Sequence, residues 1–247
     1  MPAAALSRTE FEVVWSSLRL GAVPFPLRVD VDLARLPGSG GVFGGLAARG
    51  LATEERLADE WADCLTVLAF PERSVDAVGR VGPELGALAA SAHGTGALAL
   101  RDGDSVVLAP IRVGSLVESV VALLPVLPAG PGHELTVPVD AARRYLASED
   151  GWGTDRWILG EAGIGFADAT LLVNLAEGRV RGGEFGVNVA DPRTGTLVRG
   201  IPVVSWFDTS GGRYLMTNDG STLTIAPADA AQIALRLHEV LDGHPHR

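Results

Sequence analysis

The chain contains no lysine; all 20 of its basic residues are arginine. That excludes mechanisms built on a lysine amine: a Schiff base, a Walker phosphate-binding lysine or a Ser–Lys dyad. Cysteine is almost missing as well. Cys64 stands alone, so no internal disulfide can form. Within an apolar helical pattern it reads as a small core hydrophobe rather than a nucleophile. Positive charge is scarce against 30 acidic residues. The net charge of −10 opposes nonspecific nucleic-acid binding and docking on an anionic membrane. Long apolar runs are lacking too. The best stretch, Ser119 to Gly130, is broken by Pro125 and Pro128, so no membrane insertion is expected. Met1 to Leu6 has no basic region leading into an apolar core, which points to a cytoplasmic location.

Recognisable catalytic and ligand motifs are equally sparse. His93 and His133 are isolated, and His238-Glu239 has Asp242 where a zincin motif needs its second histidine. No metal site is expected. The run Gly38 to Gly44 places Phe43 where a dinucleotide-binding motif needs its third glycine, and Gly160, Gly163 and Gly165 also miss that spacing. No nucleophile elbow occurs. Asp208-Thr209-Ser210-Gly211 is similar to an aspartic-protease signature, which needs a second carboxylate to share a proton. Asp30 and Asp32 alternate with apolar residues and read as the solvent face of a strand. No cofactor and no catalytic residue is expected.

What the chain does have is core material: 247 residues, 47% of them hydrophobic. Ser7 and Glu10 form a capping box, and Phe11, Val14, Trp15 and Leu18 follow as one helical stripe. Pro24 to Val31 reads as a strand and Pro37 to Gly41 as a loop. A helix capped at Thr53 carries Leu57, Trp61, Cys64, Leu65 and Leu68. Four strands are expected between Ser74 and Leu108, then a helix opened by Ala109-Pro110. Pro125 to Gly132 reads as a linker. Beyond it come a helix from Pro138 to Leu146, a shorter one from Thr154 to Glu161 and a strand around Ala169 to Leu175. Six further strands and a helix opened by Ala226-Pro227 complete the series.

The two halves repeat. With Asp102-Gly103 placed on Asp219-Gly220, an offset of 117 residues, the match extends without a gap. Leu98 falls on Leu215, Ala109-Pro110 on Ala226-Pro227, and Leu116, Val120, Leu123 and Leu124 on Ile233, Leu237, Val240 and Leu241. The unit is strand, Asp-Gly turn, strand, helix. The same offset sets Ser91 opposite Asp208, so the second half's aspartate has no counterpart to share a proton. The expectation is a single domain over 1–247 with pseudo-repeat halves 1–125 and 133–247 and a linker at 125–132. The fold class is α/β (α+β), with one central, mostly antiparallel sheet about a pseudo-two-fold axis.

Several segments, in this order, carry a resemblance. They are Glu10-Phe11 with Trp15, Pro24-Phe25-Pro26, Ala48-Arg49-Gly50-Leu51 before Trp61, and Gly178-Arg179-Val180. Gly182 to Val187, Ser205 to Thr209 and Gly212-Arg213-Tyr214 follow. The chain resembles the EspG family of actinobacteria, the chaperones of type VII (ESX) secretion, over nearly its whole length. The resemblance implies a central antiparallel sheet flanked by helical subdomains, a cytosolic location and no enzymatic activity. It implies a PE/PPE-like or other helical-hairpin ESX substrate as partner, gripped at its apolar tip by the central sheet and the C-terminal helical region. The chaperone would be a monomer or weak homodimer. Carried onto this chain, the partner-binding candidates are Phe185, Val187, Val189, Val204 and Trp206 on strands and Gln232, Arg236 and Glu239 on the last helix. The alternative is a small-ligand binder or enzyme using a groove on the central sheet.

Overall fold

The computed structural model describes residues 3–28, 39–53, 55–147 and 152–243. Asp30, Asp32, Pro37, Gly38 and the tail from His244 lie outside them. The first half contains β1 (Ala4–Ser7), α1 (Arg8–Ser17), α2 (Ser39–Ala48), α3 (Asp59–Ala69), β2 (Arg73–Arg80), β3 (Glu84–Ala92), β4 (Thr95–Asp102), β5 (Ser105–Ile111) and α4 (Leu116–Val121). The second contains β6 (Leu135–Pro138), α5 (Val139–Ala147), α6 (Trp152–Glu161), α7 (Phe166–Glu177), β7 (Arg181–Ala190), β8 (Leu197–Arg199), β9 (Val203–Thr209), β10 (Gly212–Asn218), β11 (Thr222–Pro227) and α8 (Ala230–Asp242).

All these strands join one sheet in the order β1-β5-β4-β3-β2-β7-β9-β10-β11-β6, with β8 appended to β7. Every pairing between them is antiparallel. β2 and β7 join the halves through a continuous register from Arg73↔Val189 to Arg80↔Gly182. Read outward from that junction, both sides show the same connection: second, third, fourth and fifth strand, then the first at the rim. The 117-residue offset holds in the ladders as well. Ala92↔Thr95 closes one hairpin and Thr209↔Gly212 the other.

Period-two alternation divides the core. On β3, Ala87 and Ala89 join one cluster while Leu88 and Ala90 join another. On β9, Trp206 and Phe207 are split in the same way. α4 and α8 lie together over the middle of one face, on strands of both halves. The other face carries two helical packs, α1–α3 over the first half and α5–α7 over the second. Between those packs the middle of the second face is polar: Ser74 and Asp76 of β2 lie beside Glu184 and Asn188 of β7, and Asn188 Nδ2 donates to both Ser74 and Asp76.

Several expected elements differ. Pro24 to Leu27 forms a turn rather than a strand, and its N-terminal neighbour α1 ends at Ser17. α2 begins at Ser39, inside the expected glycine loop. Thr53 does not cap α3: its hydroxyl accepts from Arg56 N at 3.2 Å, and the cap position is Ala58. Ala109-Pro110 lies inside strand β5, one residue before its end, and Ala226-Pro227 ends β11; neither opens a helix. The rim strands β1 and β6 reach only to Leu108 and Ile225, so the outer edge at each proline has no ladder partner and its missing N–H costs nothing. α8 is capped instead by Asp229, whose carboxylate accepts from Gln232 N at 3.0 Å. Ala169 to Leu175, expected as a strand, lies in α7. Arg179 to Arg181 and Phe185 to Ala190 do not form two strands; β7 begins at Arg181 and runs through Ala190.

The segment from Pro125 to Gly132, expected as a linker, is bonded to β10. Arg213 N donates to Pro128 O at 2.9 Å, Gly130 N donates to Arg213 O at 2.9 Å, and Tyr214 donates its hydroxyl to Pro131 O at 2.9 Å.

Candidate functional site

The strand candidates sit where the alternation puts them, on one face, but that face is covered. Phe185, Val187, Val204 and Trp206 are each no more than 3% exposed, beneath α4 and α8. The expectation that they present an open apolar surface is therefore corrected. α4 and α8 each carry an apolar stripe, and these strands bury it. Val189 is half-buried against the same cluster. Phe207, the neighbour of Trp206, is also core, on the opposite face.

The helix candidates are accessible. Gln232 and Glu239 are exposed and Arg236 is half-exposed. Gln232 is occupied in part, since its Oε1 accepts from Asp229 N at 2.8 Å in the capping box. Arg236 pairs with Glu239 at 2.7 Å. Beside them Leu235 is 62% exposed.

The protease-like aspartate is a structural group. Asp208 is fully buried and accepts two bonds from Arg213 while pairing with Arg181 at 3.1 Å. The polar middle of the second face is similarly engaged. Asp76 is 3% exposed, takes Arg199 Nη1 at 3.0 Å and accepts from Asn188 Nδ2 at 3.1 Å. Burial pushes its carboxyl above the ordinary Asp range, and Arg199 and Asn188 oppose the shift. Arg199 also reaches Glu184, at 3.2 Å. Among the described residues, no group of three His, Cys, Asp or Glu could hold a metal ion. No helix among them is long and apolar enough to cross a membrane.

An open apolar cavity of about 320 Å³ lies elsewhere, between the second half of the sheet and α5, α6 and α7. Its floor is Phe207, Met216, Leu223 and Ile225; its walls are Val139, Ala142 and Leu146 of α5, Leu159 of α6 and Leu172 and Leu175 of α7. That space suits side chains of a partner better than one or two waters, because its lining offers few polar partners. The corresponding helical pack of the first half is built around aromatic side chains among the described residues. Phe11, Trp15, Phe43 and Trp61 are all buried there, and the Phe11 and Trp15 rings lie 5.4 Å apart. In the second half, Trp157 of α6 and Phe166 of α7 point outward at 62% and 74% exposure. Leu146, at 78%, stands at the cavity itself. Sequence reasoning missed this site because it read part of α7 as a strand and could not see where a layer would be left unfilled. The outward aromatics and the apolar run in α7 were the available signals.

No curated protein matches the sequence. Among solved structures, the chain is similar to the Mycobacterium tuberculosis type VII secretion system chaperone EspG5, solved in complex with a PE25–PPE41 dimer. The TM-score is 0.78 and the identity 18%, over 99% of this chain and 98% of that one, a likeness of fold. The model of the EspG family matches residues 7–239, almost the full length. The chain belongs to the EspG family.

Proposed function

We propose that this protein is a type VII secretion chaperone that holds a secreted helical-hairpin client of the PE/PPE kind, seating the client's apolar tip in the cavity under α5–α7. The open apolar cavity between the second half of the sheet and α5–α7 carries the reading. Apolar burial would supply the affinity, and exposed Leu146 and Trp157 would extend the contact beyond the cavity mouth. Family membership supports the reading, as does the fold shared with a chaperone solved on a PE25–PPE41 dimer. The exposed α8 positions Gln232, Arg236 and Glu239 offer a secondary contact. The reading needs no catalysis, and the carboxylate nearest to a catalytic motif, Asp208, is spent on Arg213. It places the protein in the cytoplasm, where a client must be kept soluble before export.

Co-expression with PE/PPE-type pairs from the same genome tests it. The expected result is a stable complex of the chaperone with one such pair. Absence of a complex with every pair sinks the proposal.

A further inference from the structure

The cavity's charged groups are of one sign. Arg143 of α5 and Arg179, just past α7, line it beside Tyr145 and Asn218, and no carboxylate lines it among the described residues. The chain as a whole carries −10. Among the described residues Arg143 pairs with Asp140 alone, at 3.4 Å, with both side chains mostly in solvent, so that pair contributes little. Arg179 is exposed and has no ion pair among the described residues. Its guanidinium is nevertheless seated. It lies against Gly182, where a Cβ would come within 2.7 Å of Nη2, and Gly182 pairs with Phe207 of the cavity floor.

Two cations beside a low-dielectric apolar wall make a local positive field that an apolar tip alone would not use. We propose that the client's apolar tip is flanked by a carboxylate, and that Arg143 and Arg179 select it. This rests on the cavity being the client site. Arginine suits the task, since its planar fork can hold a carboxylate by two bonds.

Two synthetic helical hairpins test the inference. Both are stapled by a disulfide and carry Leu-Leu in the turn; one has Asp beside it and the other Lys. Fluorescence anisotropy at low salt should give about tenfold tighter binding of the Asp hairpin. The gap should narrow at about 0.5 M salt. Arg143→Gln with Arg179→Gln should close it, and Arg143→Glu with Arg179→Glu should reverse it, with unchanged circular dichroism in each variant. Equal binding of the two hairpins, or tighter binding of the Lys hairpin, overturns the carboxylate inference and leaves the cavity as client site standing. Binding of neither hairpin while a PE/PPE pair still co-purifies also overturns it. Loss of both kinds of binding overturns the two readings together.

Discussion

The Arg213 guanidinium donates to both carboxylate oxygens of Asp208, at 2.7 Å from Nε and 3.1 Å from Nη2, and neither residue is exposed. The same cross-strand position in the first half holds Ser91 and Gly96. Nη2 of Arg213 also donates to Pro125 O at 2.8 Å, so the pair anchors the segment that follows α4. Asp208→Asn should leave Arg213 buried without its counter-charge and cost about 3–5 kcal/mol. Adding Arg213→Met should recover part of the loss. Urea unfolding of the two single variants and the double variant gives the coupling.

Trp206→Ala should act on stability rather than on a contact surface. Its ring is 1% exposed beneath α4 and α8, and truncation should cost about 3–5 kcal/mol. Ala142→Trp should do the opposite, filling part of the cavity, preserving the fold and lowering client co-purification. Comparing melting temperature with pull-down yield for the two variants separates the roles.

Asp76 should make folding less favourable as pH rises. Its folded carboxyl titrates above the ordinary Asp value, so the folded state holds a proton that the unfolded chain has already lost. Stability from this group is present at pH below the ordinary value and is lost as pH climbs through the raised one. Asp76→Asn removes that slope. The melting temperature of the variant relative to the parent should therefore increase from pH 4 toward neutrality.

Gly79→Ala should weaken the junction of the halves. Gly79 has φ of +151°, and its neighbour across the junction is Gly183. A Cβ at Gly79 would come within 2.5 Å of the Gly183 Cα. A loss of about 1–3 kcal/mol is expected from the backbone and the contact together, read by chemical denaturation.

Cys64 should resist thiol reagents until the protein unfolds. Burial, helped by Glu60 and Asp63, pushes its thiol up to about 11. Labelling with a chromogenic disulfide should be slow in buffer and immediate in urea.

Elements governed by local chemistry were legible in the sequence. The capping box of Ser7 and Glu10 forms with Ser7 N to Glu10 Oε2 at 2.8 Å. The Asp219-Gly220 turn closes its hairpin, with Asp219 accepting from Ser221 N at 2.8 Å and Thr222 N at 2.7 Å. Elements that depend on distant partners were harder to read. β1 and β6 have four residues each, too few for alternation to stand out before β5 and β11 complete them. Ala169 to Leu175 is a short apolar run that periodicity alone assigns to either strand or helix. Alternation placed Phe185, Val187, Val204 and Trp206 on one face but did not say what covers it. The stripes Leu116, Val120 and Ile233, Leu237 needed some surface to bury them, and those strands were it. The cavity is a property of what three helices fail to fill, which no single segment expresses.

The junction of β2 with β7 also orders events during synthesis. β2 ends at Arg80, and its partner starts only at Arg181. Roughly a hundred residues must leave the ribosome before β2 gains that neighbour, at about 5–20 residues per second. For those seconds the nascent first half presents a long, unpaired sheet edge, the kind of edge that recruits other chains. Its closure waits on the second half, so truncation anywhere before β7 leaves a product primed for aggregation rather than a smaller working protein.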